Sequence, residues 1–392
     1  MQVKIYNITY HGIGLSLKTY EEYEREKGLN RYPWHKAKKN ISDKEGKMKT
    51  KGIFLKLSVV GLVMFSLISF WNPVQAQEIV WKFQTILGQG YHLTDVALWF
   101  AKEVEQQTGG KFKIQVFPGE ALGFRGPRAL TSVGQGLLDG QDMVGTYVSG
   151  DLKIAEIVSL HGLVPFDLPL RKAIREAIVP YQEKAMKERF NVQILTAVQL
   201  EPRSIYVRKP VKTAAELKGM KIRSEGINEN AFTKLLGSVP VTMGFAEIYT
   251  SLQQGILDAT WSPPASAYNA RLYEVLKYCY DLSIGGSPVF YICNLDKFTK
   301  LPPDYQKLLK DLGRRAEGRL WDRVATDVKI FKKKLEEQGV IFNAASREDM
   351  KIISEGGPQI WDEWLKTAEP EAKEMMAKIK MMVAEWEKKS QK

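Results

Sequence analysis

The chain has 392 residues, of which 44% are hydrophobic and 26% are charged. This composition is typical of globular proteins and excludes a fibrous, a wholly disordered or a polytopic membrane protein. The formal net charge of +12 would favour a nucleic acid as partner, whereas two cysteines exclude a disulfide scaffold and a cysteine-based zinc module.

The amino-terminal segment carries the pattern of an export signal. Basic residues from Met48 onward precede the uncharged run LSVVGLVMFSLISF, and Pro73 and small residues up to Ala76 follow it. This order is typical of a secretory signal peptide, and the run is shorter than the ~20 residues of a membrane anchor. We therefore predict a signal peptide over residues 48–76, cleaved near Ala76. We further predict a periplasmic product without stable membrane insertion, and a non-native upstream extension over residues 1–47.

Removing that segment changes the charge balance. Residues 1–76 hold 13 Lys and Arg against 6 Asp and Glu, which is more than half of the net charge. The remaining chain contains no dense basic block and no zinc-finger or RNA-binding motif. We therefore predict no nucleic-acid partner.

Beyond the signal, strand-like and helix-like segments alternate. EIVWKFQTIL and KFKIQVF have the pattern of strands, with a helical pattern between them, and LKGMKIRSE begins a second series of the same kind. This alternation predicts two α/β lobes. We expect lobe I to comprise residues 77–200, with about 288–328 returning to it. Lobe II should comprise residues 201–287, with about 329–392 packing on it.

A single long helix is predicted over residues 302–338. Its apolar residues recur three or four apart, Pro302 and Pro303 suit a helix start, and Gly339 suits its end. At 1.5 Å per residue such a helix would measure roughly 50 Å. It would therefore span both lobes.

Several ordered blocks resemble the solute-binding subunits of TRAP transporters, the tripartite ATP-independent periplasmic family with DctP-like members. The resemblance runs from about Val80 to Gly339 and includes SVGQGLLDGQDMVG and LVPFDLP. Its two specific blocks are AAELKGMKIR and PVTMGFAEIYTSLQQGILDA.

The resemblance implies a two-lobed periplasmic-binding-protein-like (type II) α/β fold, with a hinge and one long helix spanning both lobes. It implies a protein that captures a small organic acid anion by hinge closure and delivers it to the TRAP membrane permease. No enzymatic activity and no cofactor are expected, and we expect a monomer.

Two arginines are the main candidates for ligand binding. Arg223 ends the KIR strand, where the family keeps an arginine that pairs with a substrate carboxylate. A planar guanidinium can donate two parallel hydrogen bonds to a carboxylate and stays charged when water is excluded. Arg203 resembles a second family arginine, although Pro202 replaces its flanking glycine.

Five further residues are candidates for the ligand-binding cleft. Trp261 and Ser262 replace a glutamate and an asparagine of the family pattern. Trp261 could either cover an apolar part of the ligand or pack in the core, and the missing glutamate predicts no ligand-bridging metal. Phe245 matches a phenylalanine of the family that is often a cleft wall, and Tyr91 lies where the first ligand contact of the family arises. Tyr147 is predicted to end the GQDMVGTY strand and to point toward the same region.

Two alternatives to transport stay open at this point. The chain could present its ligand to a sensor kinase, or it could be an exported α/β hydrolase. It contains no G-x-S-x-G, H-E-x-x-H or P-loop motif, which disfavours the hydrolase. His92 and His161 are expected to be structural or solvated. Cys279 and Cys293 could form a disulfide or remain buried thiols.

Overall fold

The computed structural model describes residues 78–390 of the chain. The predicted signal peptide (48–76) and upstream extension (1–47) lie outside the described residues. Within residues 78–390 the predicted two-lobed α/β fold is confirmed, because two mixed sheets of five and six strands are flanked by helices. We name the five-stranded sheet and the helices packed on it lobe I, and the six-stranded sheet with its helices lobe II.

The elements follow one another in the predicted alternation. The strands are β1 (Ile79–Gln84), β2 (Phe112–Phe117), β3 (Gly140–Val144), β4 (Val192–Gln199), β5 (Arg203–Val207), β6 (Lys221–Ser224), β7 (Val239–Thr242), β8 (Ala259–Ser262), β9 (Tyr278–Ile284), β10 (Pro288–Asn294) and β11 (Ile341–Ala344). The α-helices are α1 (His92–Gln107), α2 (Ala129–Gly134), α3 (Leu168–Phe190), α4 (Ile227–Leu235), α5 (Ile248–Gln253), α6 (Pro264–Asn269), α7 (Leu295–Thr299), α8 (Pro303–Glu337), α9 (Arg347–Thr367) and α10 (Glu371–Ser390).

The order of strands shows where the chain passes between the lobes. Lobe I has the order β2-β1-β3-β10-β4, and lobe II has the order β11-β9-β5-β8-β6-β7. The chain passes between the sheets through two short crossings, from β4 to β5 and from β9 to β10, and a third time along α8, between β10 and β11. The first crossing comprises residues 200–202, and the second comprises residues 285–287. Strands β4 and β10 are buried along their whole lengths. Strand β10 has a neighbour on each side, whereas β4 lies at the edge of the sheet and is covered by α3 and α8.

The two crossings contact each other closely. Gly286 has a φ of 121°, a conformation that favours glycine, and a Cβ atom there would lie 2.5 Å from the carbonyl oxygen of Leu200. The buried side chain of Arg171 donates to the carbonyl oxygens of Leu200, at 3.1 Å, and of Gly285, at 2.6 Å. One arginine thus holds both crossings of the hinge.

The predicted long helix is confirmed as α8, which has 35 residues. Its first half packs into the core of lobe I through Leu309, Leu312 and Leu320. Near its end, Leu335 packs in a core cluster of lobe II. The helix therefore packs into the cores of both lobes.

Residues 329–392 do not all pack on lobe II, which corrects that part of the prediction. Helix α9 does contact α4 of lobe II. Helix α10, however, packs on α3 of lobe I and inserts Met375, Met376 and Ile379 into its core. An apolar stripe on a helix defines a face to bury, but it does not specify which lobe receives it.

The two cysteines are free and buried. Cys279 lies on β9 of lobe II and Cys293 on β10 of lobe I, so they do not form a disulfide. None of the helices within residues 78–390 is long and apolar enough to cross a bilayer.

Candidate functional site

A narrow pocket lies where the two lobes meet. Its volume is about 40 Å³, which is room for a few water molecules. The residues that line it come from both sheets and from the crossings: Ile86, Leu87, Leu93, Val144, Tyr147, Leu200, Glu201, Arg203, Arg223, Glu225, Phe245, Trp261, Ser262, Pro263, Ser266 and Ser287. The structure thus brings six of the seven predicted ligand-binding residues to one narrow pocket.

Arg203, the first residue of β5, is buried and firmly held. Its Nη1 lies 2.8 Å from Glu225 Oε2 and 2.6 Å from Glu229 Oε1. Its Nη2 donates to the carbonyl oxygen of Trp261 at 2.9 Å. Charge-assisted contacts of this kind fix a guanidinium in position, so Arg203 is anchored to lobe II on two sides.

Arg223, on β6, has fewer charged partners. Its Nη2 donates to Tyr147 Oη at 2.9 Å, and its Nε donates to the carbonyl oxygen of Met243 at 3.1 Å. Its Nη1 lies 3.4 Å from Glu225 Oε1. Burial opposes its charge, but Tyr147, Glu225 and Glu229 outweigh burial and raise the pKa of Arg223. Arg223 therefore stays cationic inside the pocket.

Glu225 lies between the two arginines and receives hydrogen bonds from across the cleft. Thr146 Oγ1 of lobe I donates to its Oε2 at 2.8 Å, and Ser287 Oγ of the second crossing donates to the same atom at 2.7 Å. Burial alone would raise the pKa of Glu225, but Arg203, Arg223 and these hydroxyl groups outweigh it and lower the pKa to about 2. Glu225 is therefore an ionised acceptor at physiological pH.

Glu229, at the start of α4, has the opposite behaviour. Burial raises its pKa to about 7, although Arg203 opposes the effect. Because this value is above that of a free glutamate, the protonated form contributes stability below the ordinary pKa, and this contribution is lost as the pH rises through about 7. In this cluster two arginines therefore face one ionised and one partly protonated glutamate.

Lobe I contributes a mainly apolar wall to the pocket. Ile86, Leu87, Leu93 and Val144 provide most of it. Tyr147 lies beside them, in a turn rather than at the end of a strand as predicted, because β3 stops at Val144 and the Tyr147 N–H turns back to donate to the Val144 carbonyl oxygen at 3.0 Å. Burial raises the pKa of Tyr147 to about 12, so its hydroxyl group is neutral.

Phe245 and Tyr91 form an aromatic pair at one side of the pocket. Phe245 lines the pocket from the turn that precedes α5. Tyr91 is not among the lining residues, but its ring packs edge-on against Phe245 with centroids 6.0 Å apart. Burial raises the pKa of Tyr91 to about 12. Tyr91 therefore supports the wall from behind.

Trp261 and Ser262, on β8, contribute to the pocket in different ways. Of the two interpretations of Trp261, the structure shows core packing, because its indole is fully buried in the lobe II core and donates to Thr233 Oγ1 at 2.9 Å. Its carbonyl oxygen, however, holds Arg203. Ser262 lines the pocket, and its hydroxyl group donates to the carbonyl oxygen of Pro263 at 3.1 Å.

Sequence reasoning missed three polar residues of this centre. Glu225 follows Arg223 by two residues, and side chains two apart on an extended chain point to the same side, so this signal was present in KIRSE. Thr146 and Ser287 have no such signal. They approach Glu225 only because the turn after β3 and the second crossing meet in the folded chain.

The comparison with protein families gives one match that covers most of the chain. The sequence model of the bacterial extracellular solute-binding proteins, family 7 (DctP), matches residues 83–367. The 2,3-diketo-L-gulonate-binding periplasmic protein YiaO of Escherichia coli K12 is 28% identical over 327 residues, which is 81% of this chain and 95% of that protein.

Solved structures share the fold. DctP7 of Bordetella pertussis, an extracytoplasmic solute receptor that binds pyroglutamic acid, superposes with a TM-score of 0.73 at 22% identity, over 77% of this chain and 99% of that one. A TRAP periplasmic solute-binding protein of Desulfovibrio salexigens with bound orotic acid gives a TM-score of 0.74 at 18% identity, over 79% and 99% of the two chains. At these identities the likeness shows the fold alone.

Proposed function

The chain belongs to the bacterial extracellular solute-binding proteins of family 7, and from this premise we propose that it captures an organic acid with a single carboxylate. It is a binding protein of the TRAP type rather than an enzyme. The acid would bind between the lobes, with its carboxylate on Arg223, and closure of the hinge would enclose it.

The observation that carries this proposal is the unequal pairing of the two arginines. Arg203 has two carboxylates within 2.8 Å, so its charge is already neutralised by the protein. Arg223 has neutral acceptors at hydrogen-bonding distance, and its carboxylate contact with Glu225 is 3.4 Å long. A carboxylate brought by a ligand would therefore gain most by pairing with Arg223.

Glu225 narrows the class of acid further. An ionised acceptor beside the arginines favours a ligand that offers an N–H or O–H group close to its carboxylate, and it repels a second carboxylate. Pyroglutamate and orotate, which are named for two similar proteins, each combine one carboxylate with a ring N–H beside it. 2,3-Diketogulonate, which is named for a third, also has one carboxylate, but its nearest hydroxyl group lies beyond two keto groups. They are the first ligands to test.

The remaining parts of the proposal follow from the family rather than from the pocket. The protein would be exported by the signal peptide of residues 48–76, cleaved near Ala76, and would act in the periplasm as a monomer. It would hand its ligand to the membrane permease of a TRAP transporter. The periplasmic name of YiaO supports this location.

Calorimetric titration of the three acids tests the proposal, with the corresponding carboxamides as neutral analogues and succinate as a dianion. We expect at least one acid to bind and its carboxamide to bind far more weakly.

Arg223→Met should weaken binding by about 2–5 kcal/mol, or roughly 30-fold to several thousand-fold. The matched control is Arg208→Met, because Arg208 is an exposed arginine of lobe II that directly follows the last residue of β5. Equal binding of acid and carboxamide, or unchanged affinity in Arg223→Met, would contradict the proposal.

A further inference from the structure

At one side of the pocket, three buried side chains from distant parts of the chain converge. His92 begins α1 of lobe I, Glu201 lies in the first crossing, and Asp327 lies within the long helix α8. One potential ligand atom from each residue lies within 4.8 Å of the other two. Glu201 also lines the pocket. The group therefore connects a lobe, the hinge and the helix that spans both lobes.

The polar atoms of this group are poorly satisfied by the protein. Glu201 is 0% exposed and His92 is 3% exposed. Among the described residues, no hydrogen-bond partner lies near either carboxylate oxygen of Glu201. The Nε2 atom of His92 has none either. A buried carboxylate without a donor is strongly unfavourable unless a positive charge compensates it.

The distance between His92 and Asp327 suits two ligands of one ion better than a hydrogen bond. His92 Nδ1 lies 3.5 Å from Asp327 Oδ2, beyond the usual N–H···O range. Two ligand atoms that are each ~2.0 Å from a tetrahedral zinc ion lie ~3.3 Å apart. Arg323 Nε donates to both oxygens of Asp327, at 3.1 and 3.3 Å, and a hydrogen bond of this kind orients a metal-binding carboxylate.

We propose that His92, Glu201 and Asp327 bind one divalent transition-metal ion of the zinc class at the hinge. An imidazole nitrogen and two carboxylates form a three-ligand set that zinc accepts, with a fourth position open. Calcium and magnesium prefer sites made of oxygen alone. The proposed ion is distinct from one that would bridge the ligand, because two of its three ligands, His92 and Asp327, do not line the pocket. It would fasten α1, the first crossing and α8 to one another.

Zinc titration of EDTA-treated, dialysed protein tests the site directly. We expect calorimetry and elemental analysis to find one bound zinc ion per chain, and we expect zinc to raise the thermal midpoint of the protein. Mg²⁺ and Ca²⁺ should neither bind nor raise the midpoint. Asp327→Asn and Glu201→Gln should each weaken that equivalent by at least about 100-fold, a larger effect than the loss of an outer hydrogen bond to a metal ligand. Asp322→Asn, on an exposed position of the same helix, should leave it unchanged. Absence of zinc binding in the wild type, or unchanged zinc affinity in either variant, would overturn the proposal.

The order of thermal midpoints separates a metal site from a merely structural cluster. Without metal, Glu201→Gln should unfold at a higher temperature than the wild type, because it removes a buried charge that has no donor. With saturating zinc, the wild type should become the more stable of the two. The same order of stability with and without zinc would show that the ion does not use Glu201.

Discussion

The two walls of the pocket differ in kind. The wall from lobe I consists of aliphatic side chains and the neutral hydroxyl groups of Thr146 and Tyr147. The wall from lobe II carries all three ionised groups of the pocket centre, namely Arg203, Arg223 and Glu225. An acid can therefore recognise lobe II alone while the cleft is open. Closure of lobe I then excludes water, which strengthens the charged contacts already made.

This division of roles makes closure a separate step from recognition. Only neutral groups of lobe I, and Ser287 of the second crossing, reach the charges of lobe II. Changes on the lobe I side should thus affect how firmly the ligand is enclosed, whereas changes on the lobe II side should affect which ligand is accepted. Three variants test this difference, beginning with the one expected to have the largest effect.

Gly226→Ala should block closure without altering either wall. A Cβ atom on Gly226 of lobe II would lie 2.3 Å from the carbonyl oxygen of Thr146 and 2.9 Å from Ser149 Oγ, both in lobe I. The Thr146 contact is with backbone, which cannot rotate away. Overpacking of this kind costs about 1–3 kcal/mol, so we expect affinity to fall roughly 5- to 150-fold.

Calorimetry and small-angle scattering check this expectation, because the liganded variant should stay expanded where the wild type contracts. Gly244→Ala is the matched control, since a Cβ atom there meets nothing within 4 Å. Contraction and affinity equal to those of the wild type in Gly226→Ala would show that closure does not need this contact.

Glu225→Gln should change which ligands bind more than how firmly they are enclosed. The amide keeps the shape of the side chain but removes the negative charge between Arg203 and Arg223. Preference for a ligand with an N–H donor should fall about tenfold, since a hydrogen bond to a charged group contributes about 1.5–3 kcal/mol. Binding of dianions such as succinate should improve.

Pyroglutamate and its lactone analogue, in which oxygen replaces the ring N–H, form the probe pair for this measurement. Because the pKa of Glu225 is about 2, which is below that of a free glutamate, the carboxylate stays ionised down to acidic pH. The wild-type preference should therefore be the same at pH 5 and pH 8. An unchanged preference in Glu225→Gln would exclude Glu225 as the acceptor for the ligand.

The comparison of walls also shows what could be predicted from the sequence. Helical periodicity predicted α8 to within one residue at each end, and the KIR motif drew attention to Arg223, which lines the pocket. Both are local patterns. Thr146 and Ser287 could not be predicted, because only the meeting of distant segments makes them partners of Glu225.

Trp261 illustrates a second limit of local patterns. All four residues of β8 are buried, so alternation along the strand does not reveal which side chain faces the ligand. The bond from the indole to Thr233 of α4 decides its orientation. Likewise, the apolar stripe of α10 predicted burial but not its partner, α3 of lobe I.

Tyr147→Phe should have the smallest effect of the three variants and should act on closure alone. It keeps the aromatic ring on the lobe I wall but removes the hydroxyl group that accepts from Arg223 Nη2 at 2.9 Å. Arg223 keeps its contacts with Met243 and Glu225, so we expect a loss at the lower end of the range for bonds to a charged group, about 1.5 kcal/mol. The ligand should then dissociate up to roughly 10-fold faster. Because the bond joins the two lobes, it forms after the encounter, and the association rate should not change. Stopped-flow tryptophan fluorescence measures both rates, with Tyr305→Phe, outside the pocket, as the control. Slower association in Tyr147→Phe would mean that lobe I also takes part in recognising the ligand. That result would contradict the assignment of recognition to lobe II and of closure to lobe I.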